Sequence, residues 1–347
     1  MSKYGPFFLS IFLSSTLYAN AIEVVGEIPV KISTASDLSK SVSALPKIIY
    51  VQKLKLSPAA KIALKGRINE LEVYGNQALF SKAVSSVPVR VNLGMNGTPV
   101  LDQGYHGSCV TFAMTGALDA AIGKGDYVSQ LCSLQLGNTL LGHANSGWDG
   151  SWGDVVLEQL NNNGIITKGY QLKYGCPAGM KKYPLTSNAG ITKKMSATTY
   201  KANSHFLTSG TTLVSPNTAF NANFSATSLF NQVKQQLRAK KRVVVGFLLD
   251  DEQGDAGAVG TYKKHFDTWA LTPSIVKKAK AGTLYAGHEI IIIGYDDLAS
   301  SSGGDGSKGV FIIRNSWGPD AGDNGNYYMT FNYFKYLVDE AAIVFKK

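Results

Sequence analysis

Apolar residues are spaced in two different ways along this chain. From Cys109 to Ile122 they recur with a helical period. Shorter helical runs follow at Gly153 to Asn161 and at Ser228 to Ala239. Beyond them the apolar residues fall in short blocks of strand length: Arg242 to Leu249, Glu289 to Tyr295, Gly309 to Asn315, Gly325 to Phe331 and Glu340 to Phe345. From Val87 onward the pattern is thus helical first and strand-rich later, which predicts an α+β domain. Residues 186–224 are rich in Ser, Thr and Asn without clear periodicity, and read as surface loops or an insertion. Ser300 to Lys308 reads as a hairpin loop.

The stretch before Val87 has its own character. Glu23 to Ile32 is strand-like, with Gly26 and Pro29 pointing to a sheet edge. A polar loop from Ser33 to Ala44 leads to a second strand, Lys47 to Leu56. Ser57-Pro58 then opens a helix, a capping hydroxyl followed by proline in the first turn. That helix runs through Ile62, Leu64, Ile68 and Leu71 and as far as Phe80. Two strands and one helix cannot enclose a core of their own, so this unit needs a partner surface. Ser85-Ser86-Val87-Pro88 reads as the joint to the larger domain.

Composition narrows the function classes. The chain has 347 residues, 44% hydrophobic and 17% charged, as expected of a globular protein with a filled core. Its net charge of +10 is dispersed: the densest basic clusters are Lys240-Lys241-Arg242 and Lys181-Lys182. Neither amounts to a nucleic-acid footprint, and no nucleic-acid partner is expected. Lys3, the apolar run Phe7 to Tyr18 and the small-x-small triplet Ala19-Asn20-Ala21 have the form of an export signal over residues 1–21. The run is shorter than the ~20 residues a spanning helix needs. The expectation is a secreted or extracytoplasmic protein without stable membrane insertion.

Three cysteines are an odd number for an exported chain, which suggests one disulfide and one free thiol; the alternative is three buried thiols. Cys109 stands where a glycine-rich loop, Gln103-Gly104-Tyr105-His106-Gly107-Ser108, enters a helix. Unpaired N–H groups at a helix start favour a thiolate and predict a lowered pKa for Cys109. Gly287-His288-Glu289 places a histidine at the head of one strand, and Asn315-Ser316-Trp317-Gly318 an asparagine at the end of the next. In adjacent antiparallel strands the Asn315 carboxamide would accept from one ring nitrogen of His288 and fix its tautomer. The other nitrogen would then face Cys109 as its base.

In these motifs and their order, the chain from about Val87 to its end resembles the papain-like cysteine peptidases. The resemblance implies a two-lobed fold, with a helical left lobe, an antiparallel β-rich right lobe and the active-site cleft between them. It assigns Gln103 and the Cys109 N–H to the oxyanion, and Trp317 to shielding the His288–Asn315 bond. It makes Gly150 and Ser151 the backbone that aligns a substrate, with Trp152 and Ala286 walling the pocket for the second residue before the cut. Glu340 or Ala341 falls at the pocket's base. With Cys109 as nucleophile, the remaining pair is Cys132 and Cys176.

The departures from the family pattern are specific. Val110 replaces the tryptophan that follows the nucleophile, and Ala321 replaces a second tryptophan. His106 replaces a loop cysteine, while Trp148, in Gly147 to Trp152, stands where its disulfide partner would be. The two changes together read as one replaced disulfide, which makes His106 a structural residue rather than a second base. Cys109 and His288 lie 179 positions apart, against the ~130–150 of the family; an insertion at about 186–224 accounts for the excess.

The expected function is therefore an exported cysteine endopeptidase acting on polypeptides through Cys109, His288 and Asn315. Residues 22–86 would be an inhibitory propeptide and 87–347 the peptidase domain. The chain after the N-terminal unit is expected to thread the cleft in reverse and to be cut near Ser85–Val87. The protein is expected to act as a monomer, with no cofactor and no metal. His143, His205 and His265 lack partners at ligand spacing, and Asp320 to Gly325 reads as a turn lacking the closing glutamate of a calcium loop. An acyltransferase on the same fold and a non-catalytic binding protein are the alternatives.

Overall fold

The structure is a computed structural model that describes residues 20–34, 46–74 and 87–347. All but the last two residues of the expected export signal, most of the polar loop after Ser33 and the Ser85–Ser86 part of the joint lie outside the described residues. In chain order the elements are β1 (Ile22–Ile32), β2 (Lys47–Leu56), α1 (Pro58–Tyr74), β3 (Arg90–Asn92), α2 (Cys109–Ile122), α3 (Gln130–Leu140), α4 (Gly153–Asn163), α5 (Lys168–Tyr174) and α6 (Ala197–Asn203). Then come β4 (Thr208–Val214), α7 (Pro216–Ala219), α8 (Ala226–Arg238), β5 (Val243–Leu249), β6 (Thr268–Trp269), α9 (Pro273–Ala281) and β7 (Ala286–Ser300). The last are β8 (Lys308–Arg314), β9 (Asn326–Thr330), α10 (Phe331–Leu337) and β10 (Val338–Lys346). A short 3₁₀ turn spans His143–Asn145.

One sheet runs β4-β10-β5-β7-β8-β9-β6, antiparallel except for the β6–β9 pair. Its centre is the fully apolar strand β5 and the Ile290–Ile293 run of β7, buried on both faces. Ile290 and Ile292 point into one hydrophobic cluster, Ile291 and Ile293 into another. That alternation explains why these runs are continuous in sequence rather than interleaved with polar residues. The second cluster is closed by α2, whose Val110, Ala113, Met114 and Ala117 pack on the sheet. A third core lies beneath α3 and gathers Leu131, Leu134, Trp148, Ile166, Met195 and Tyr200.

This third core contains the Cys132–Cys176 disulfide, with 5.0 Å between the Cα atoms. Where the resemblance anticipated a replaced disulfide, His106 meets Trp148 edge-on at 4.9 Å, and Tyr183 stacks on Trp148 at 5.5 Å. The His106 Nε2 lies 2.7 Å from the Pro184 carbonyl, and burial pushes its pKa down. The loop is held by this ring packing and by hydrogen bonds that include Tyr105 N–H to the Leu185 carbonyl and the Tyr183 hydroxyl to the Gln103 carbonyl.

Residues 186–224 differ from the loop reading. They contain β4, which forms the sheet's far edge on β10, and α6, whose Tyr200 is buried in the third core. Ser and Thr are abundant there partly because they cap helices: Ser196 and Ser215 both accept from backbone N–H groups three residues on. Among the described residues no helix is long and apolar enough to cross a membrane.

The N-terminal unit finds its partner on the larger domain. Ile22, Val30, Ile32, Ile49, Val51, Leu54, Leu56, Ala60, Leu64 and Ile68 share one continuous core with β5, β7 and α10. β1 pairs only with β2, with a bulge between Val24 and Gly26, as its glycine and proline require of an edge strand. Ile62, by contrast, is 74% exposed on the outer face of α1.

Cross-linking residues 44 apart restricts the unfolded chain by roughly 4 kcal/mol. The double substitution Cys132→Ala/Cys176→Ala is expected to lower the unfolding free energy by up to that amount, read from denaturant curves, with the α3 core losing protection from hydrogen exchange first.

Candidate active site

Three elements bring the chemistry together. Cys109 is the first residue of α2, entirely buried, its Sγ 4.0 Å from the Gly107 carbonyl. His288 is the third residue of β7, and Asn315 follows directly on β8, the next antiparallel strand. Their side chains meet: His288 Nε2 lies 2.8 Å from Asn315 Oδ1, which also accepts from the Ser316 N–H. A carbonyl oxygen only accepts, so Nε2 carries the proton and Nδ1 presents its lone pair. Nδ1 is buried and has no hydrogen-bond partner among the described residues.

An aromatic enclosure keeps water from this bond. Trp317 stacks on His288 with ring centroids 4.6 Å apart. Trp269 packs on Trp317 at 5.8 Å and on Tyr327 at 5.1 Å, and Phe247 lies edge-on to His288 at 6.0 Å. Trp269, Tyr327 and Phe247 were not singled out by the sequence. Their only signal there was large aromatic residues on or beside strands that flank the histidine.

Gln103 is clamped from both ends. Its N–H donates to the Ser316 carbonyl, its Oε1 accepts from the Ser316 hydroxyl at 2.8 Å, and its Nε2 donates to the His106 carbonyl at 3.0 Å. The second proton of Nε2 is given to the Tyr50 carbonyl, 2.9 Å away. Tyr50 belongs to β2. The N-terminal hairpin therefore reaches the same amide that the resemblance assigns to the oxyanion.

It reaches the other anticipated substrate contacts too. β2 pairs with the start of β7, Gln52 opposite Gly287 and Lys53 opposite Ala286. Ser151 N–H donates to the Gln52 carboxamide oxygen at 3.3 Å. A side chain on Gly287 would strike Leu54 at 2.3 Å, and one on Gly150 would strike Val24 at 2.6 Å. Both positions must be bare for the hairpin to seat. On the opposite wall Glu27 accepts from the Gly107 N–H at 2.7 Å. Lys47 at the far end pairs with Asp102 at 2.6 Å and donates to the Trp317 carbonyl. The threading segment expected after α1 falls on residues 75–86, outside the described residues; what lies along the cleft is the β1–β2 hairpin. Trp152 is half-buried against the core that this hairpin completes.

Below Cys109 lies a group of carboxylic acids. Glu340 accepts from the Gly153 N–H at 2.7 Å and adjoins Glu289, the residue after His288. Burial pushes Glu289 up to about 8, and burial with Glu289 alongside pushes Glu340 well above the ordinary range. Two adjoining buried carboxyls hold together only when a proton is shared between them. Ala341 continues into the sheet, paired with Val245 and Val214.

Burial also reverses the expectation for the thiol. Covered on all sides and close to Glu340, Cys109 is pushed up to about 12, although the backbone N–H groups of Glu289 and Val110 work in the opposite sense. His288 is pushed down to about 4 by burial, only partly offset by Asn315. In this covered state both partners are neutral.

A model of the papain family of cysteine proteases matches residues 85–344. Among solved structures, the chain is similar to xylellain, a cysteine protease from Xylella fastidiosa, at 20% identity over 77% of this chain and 89% of that one, with a TM-score of 0.49. It is similar also to digestive procathepsin L2 from the larval midgut of Tenebrio molitor, at 18% identity over 79% and 72% of the two chains, with a TM-score of 0.47. The family match covers well over half of the chain and takes in the cysteine at the start of α2, the histidine of β7 and the asparagine after β8: the protein belongs to the papain family of cysteine proteases and is a peptide-bond hydrolase.

Proposed function

We propose that the chain is an exported cysteine endopeptidase made as a closed precursor, with residues 1–21 as the export signal, 22–86 as the inhibitory segment and 87–347 as the peptidase. The observation that carries this reading is the Tyr50 carbonyl seated on the Gln103 amide. A backbone carbonyl held on this amide, in the loop that leads into the Cys109 helix, supports the reading that the hairpin stands in for a substrate. The contacts of Gln52, Lys53 and Val24 with Ser151, Ala286 and Gly150 extend the likeness to an aligned peptide.

When the hairpin leaves, water returns to Cys109 and His288, and the cost of charging them falls. His288 Nδ1 takes the thiol proton, Cys109 Sγ attacks the carbonyl carbon, and the Gln103 amide and the Cys109 N–H receive the oxyanion. His288 returns the proton to the leaving amine, then removes one from the water that releases the acyl group. Asn315 holds the ring for both transfers.

Cys109→Ala is expected to abolish peptide hydrolysis and labelling by a thiol-directed epoxide; retained hydrolysis sinks the reading. Asn315→Ala removes the buried hydrogen bonds from His288 and from the Ser316 N–H and is expected to lower kcat/KM by roughly tenfold to a hundredfold, measured on the processed enzyme.

Glu27 gives closure a pH dependence. Burial and the nearby Asp149 raise its pKa from 4.5 to about 7 in the docked hairpin, against the lowering effect of the Gly107 N–H. The docked state thus binds the proton more tightly. Its contribution is complete below about 4.5 and is lost as pH rises through about 7. Precursor held at pH 7.5 is expected to alkylate at Cys109 faster, relative to free thiol at the same pH, than precursor held at pH 5. Glu27→Gln, which keeps an acceptor for Gly107, should flatten that difference.

A further inference from the structure

The apolar stripe of α1 holds one charged residue. Ala60, Leu64 and Ile68 are fully buried, and Arg67 stands in the same stripe, 7% exposed. Its guanidinium enters the peptidase domain. Nη1 donates to the Val338 carbonyl at 2.7 Å and to the Tyr336 carbonyl at 3.3 Å, and Nη2 donates to the Ala219 carbonyl. Those oxygens lie at the ends of α7 and α10, where helices leave carbonyls without internal partners. Two rings flank the cation, Phe224 at 4.6 Å and Phe220 at 5.4 Å from Cζ to the centroid. Asp339, completely buried, has neither carboxyl oxygen hydrogen-bonded to a described residue, and its field acts on Arg67.

Everything in this cage except its occupant belongs to the peptidase domain. A planar cation with forked N–H donors suits three carbonyls reached from one side, whereas an ammonium is a point donor on a flexible stem. Burial alone would eject such a charge. It stays because the carbonyls and the ring faces replace its water.

We infer that the peptidase domain carries a guanidinium-binding site, built by the carbonyls of Ala219, Tyr336 and Val338, the rings of Phe220 and Phe224 and the buried Asp339, and that its occupation by an arginine side chain holds the hairpin in the cleft. The second half rests on the closed-precursor reading. The first does not. α1 also packs on α9, where Lys280 pairs with Glu72 at 2.5 Å, so the anchor sits within a continuous helix contact.

The test uses the full chain with Arg67→Ala, which empties the cage, and propylguanidinium as the probe, with propylammonium as the matched cation. Melting temperature reads occupation of the cage, and alkylation of Cys109, the free cysteine, by iodoacetamide reads closure of the cleft. The variant is expected to melt lower and to alkylate about a hundredfold faster, as for loss of one partner of a buried charged contact. Millimolar propylguanidinium should raise the melting temperature and slow alkylation, and propylammonium should do neither. A variant that melts like the parent, or equal responses to the two cations, overturns the site. A guanidinium-specific melting response with unchanged alkylation keeps the site and overturns its hold on the cleft. If Arg67→Ala does not fold, Arg67→Lys keeps charge and length; alkylation at the parental rate would then show that any cation serves and overturn the inference.

Discussion

Strand β7 has a buried backbone, and every N–H and C=O along it needs a partner. On one edge β5 supplies them continuously, from Ala286 to Ile292. The other edge is divided. β2 covers Ala286 and Gly287, and β8 begins opposite Ile291. Between them, at His288 to Ile290, no strand pairs with that edge among the described residues. A peptidase needs such a gap, because a peptide must lie against the sheet to be held while it is cut. The gap has a cost in unpaired backbone, and the N-terminal hairpin offsets it by adding a strand just short of the histidine. The contact that covers the reactive residues is thus also one that completes the sheet.

The cover decides the state of the nucleophile. A helix N-terminus stabilises a nearby anion by about 0.3–2 kcal/mol, which moves a pKa by about one. Burial in this structure takes Cys109 from 9.0 to about 12, so desolvation wins and the thiol keeps its proton. Burial likewise lowers His288 to about 4. The residues that would exchange a proton in an open cleft are therefore held apart in affinity when it is closed. On the closed-precursor reading the hairpin acts twice, by filling the site and by removing the water that would let it ionise. The carboxyls of Glu289 and Glu340 share in this: burial holds them protonated, so they place less negative charge beneath the sulfur than two carboxylates would.

Local pattern carried most of this into the sequence. α2 begins at Cys109 and ends at Ile122, as its apolar period and the following Gly123 indicate. The β5 and β7 strands are legible because burial on both faces leaves an unbroken apolar run. The α10 helix was not legible: the preceding strand reads as far as Phe331, and the aromatic-rich run to Leu337 shows no helical period, so the Thr330 cap and packing against α8 and the sheet define it. The α9 helix was hidden by length, with Thr272 capping and Pro273 opening a run of only nine residues. Cys109, His288, Asn315 and Gln103 stood out through their local motifs. Which segment would cover them did not, because cross-strand pairing between residues over 200 positions apart leaves no trace in spacing. Arg67 had a local signal, a charge in an apolar stripe, but its carbonyl partners lie on two distant helices.

The N-terminal unit works only as a whole. A two-stranded hairpin is marginal by itself in water, and β1 and β2 gain their order from the peptidase domain and from α1. The helix supplies apolar area through Leu64 and Ile68, yet apolar contacts between smooth helix faces tolerate sliding. Leucine at position 67 would bury as well and would fit several positions along the groove. A guanidinium that must meet three fixed carbonyls and two ring faces fits in one. Burying a charge adds little net stability; what it adds is register. Only seven residues, Val51 to Ser57, separate Tyr50 from the Pro58 start of α1. An error in the seating of the helix would therefore be transmitted along a short strand to the Tyr50 carbonyl, and the amide of Gln103 would lose that hydrogen-bond partner.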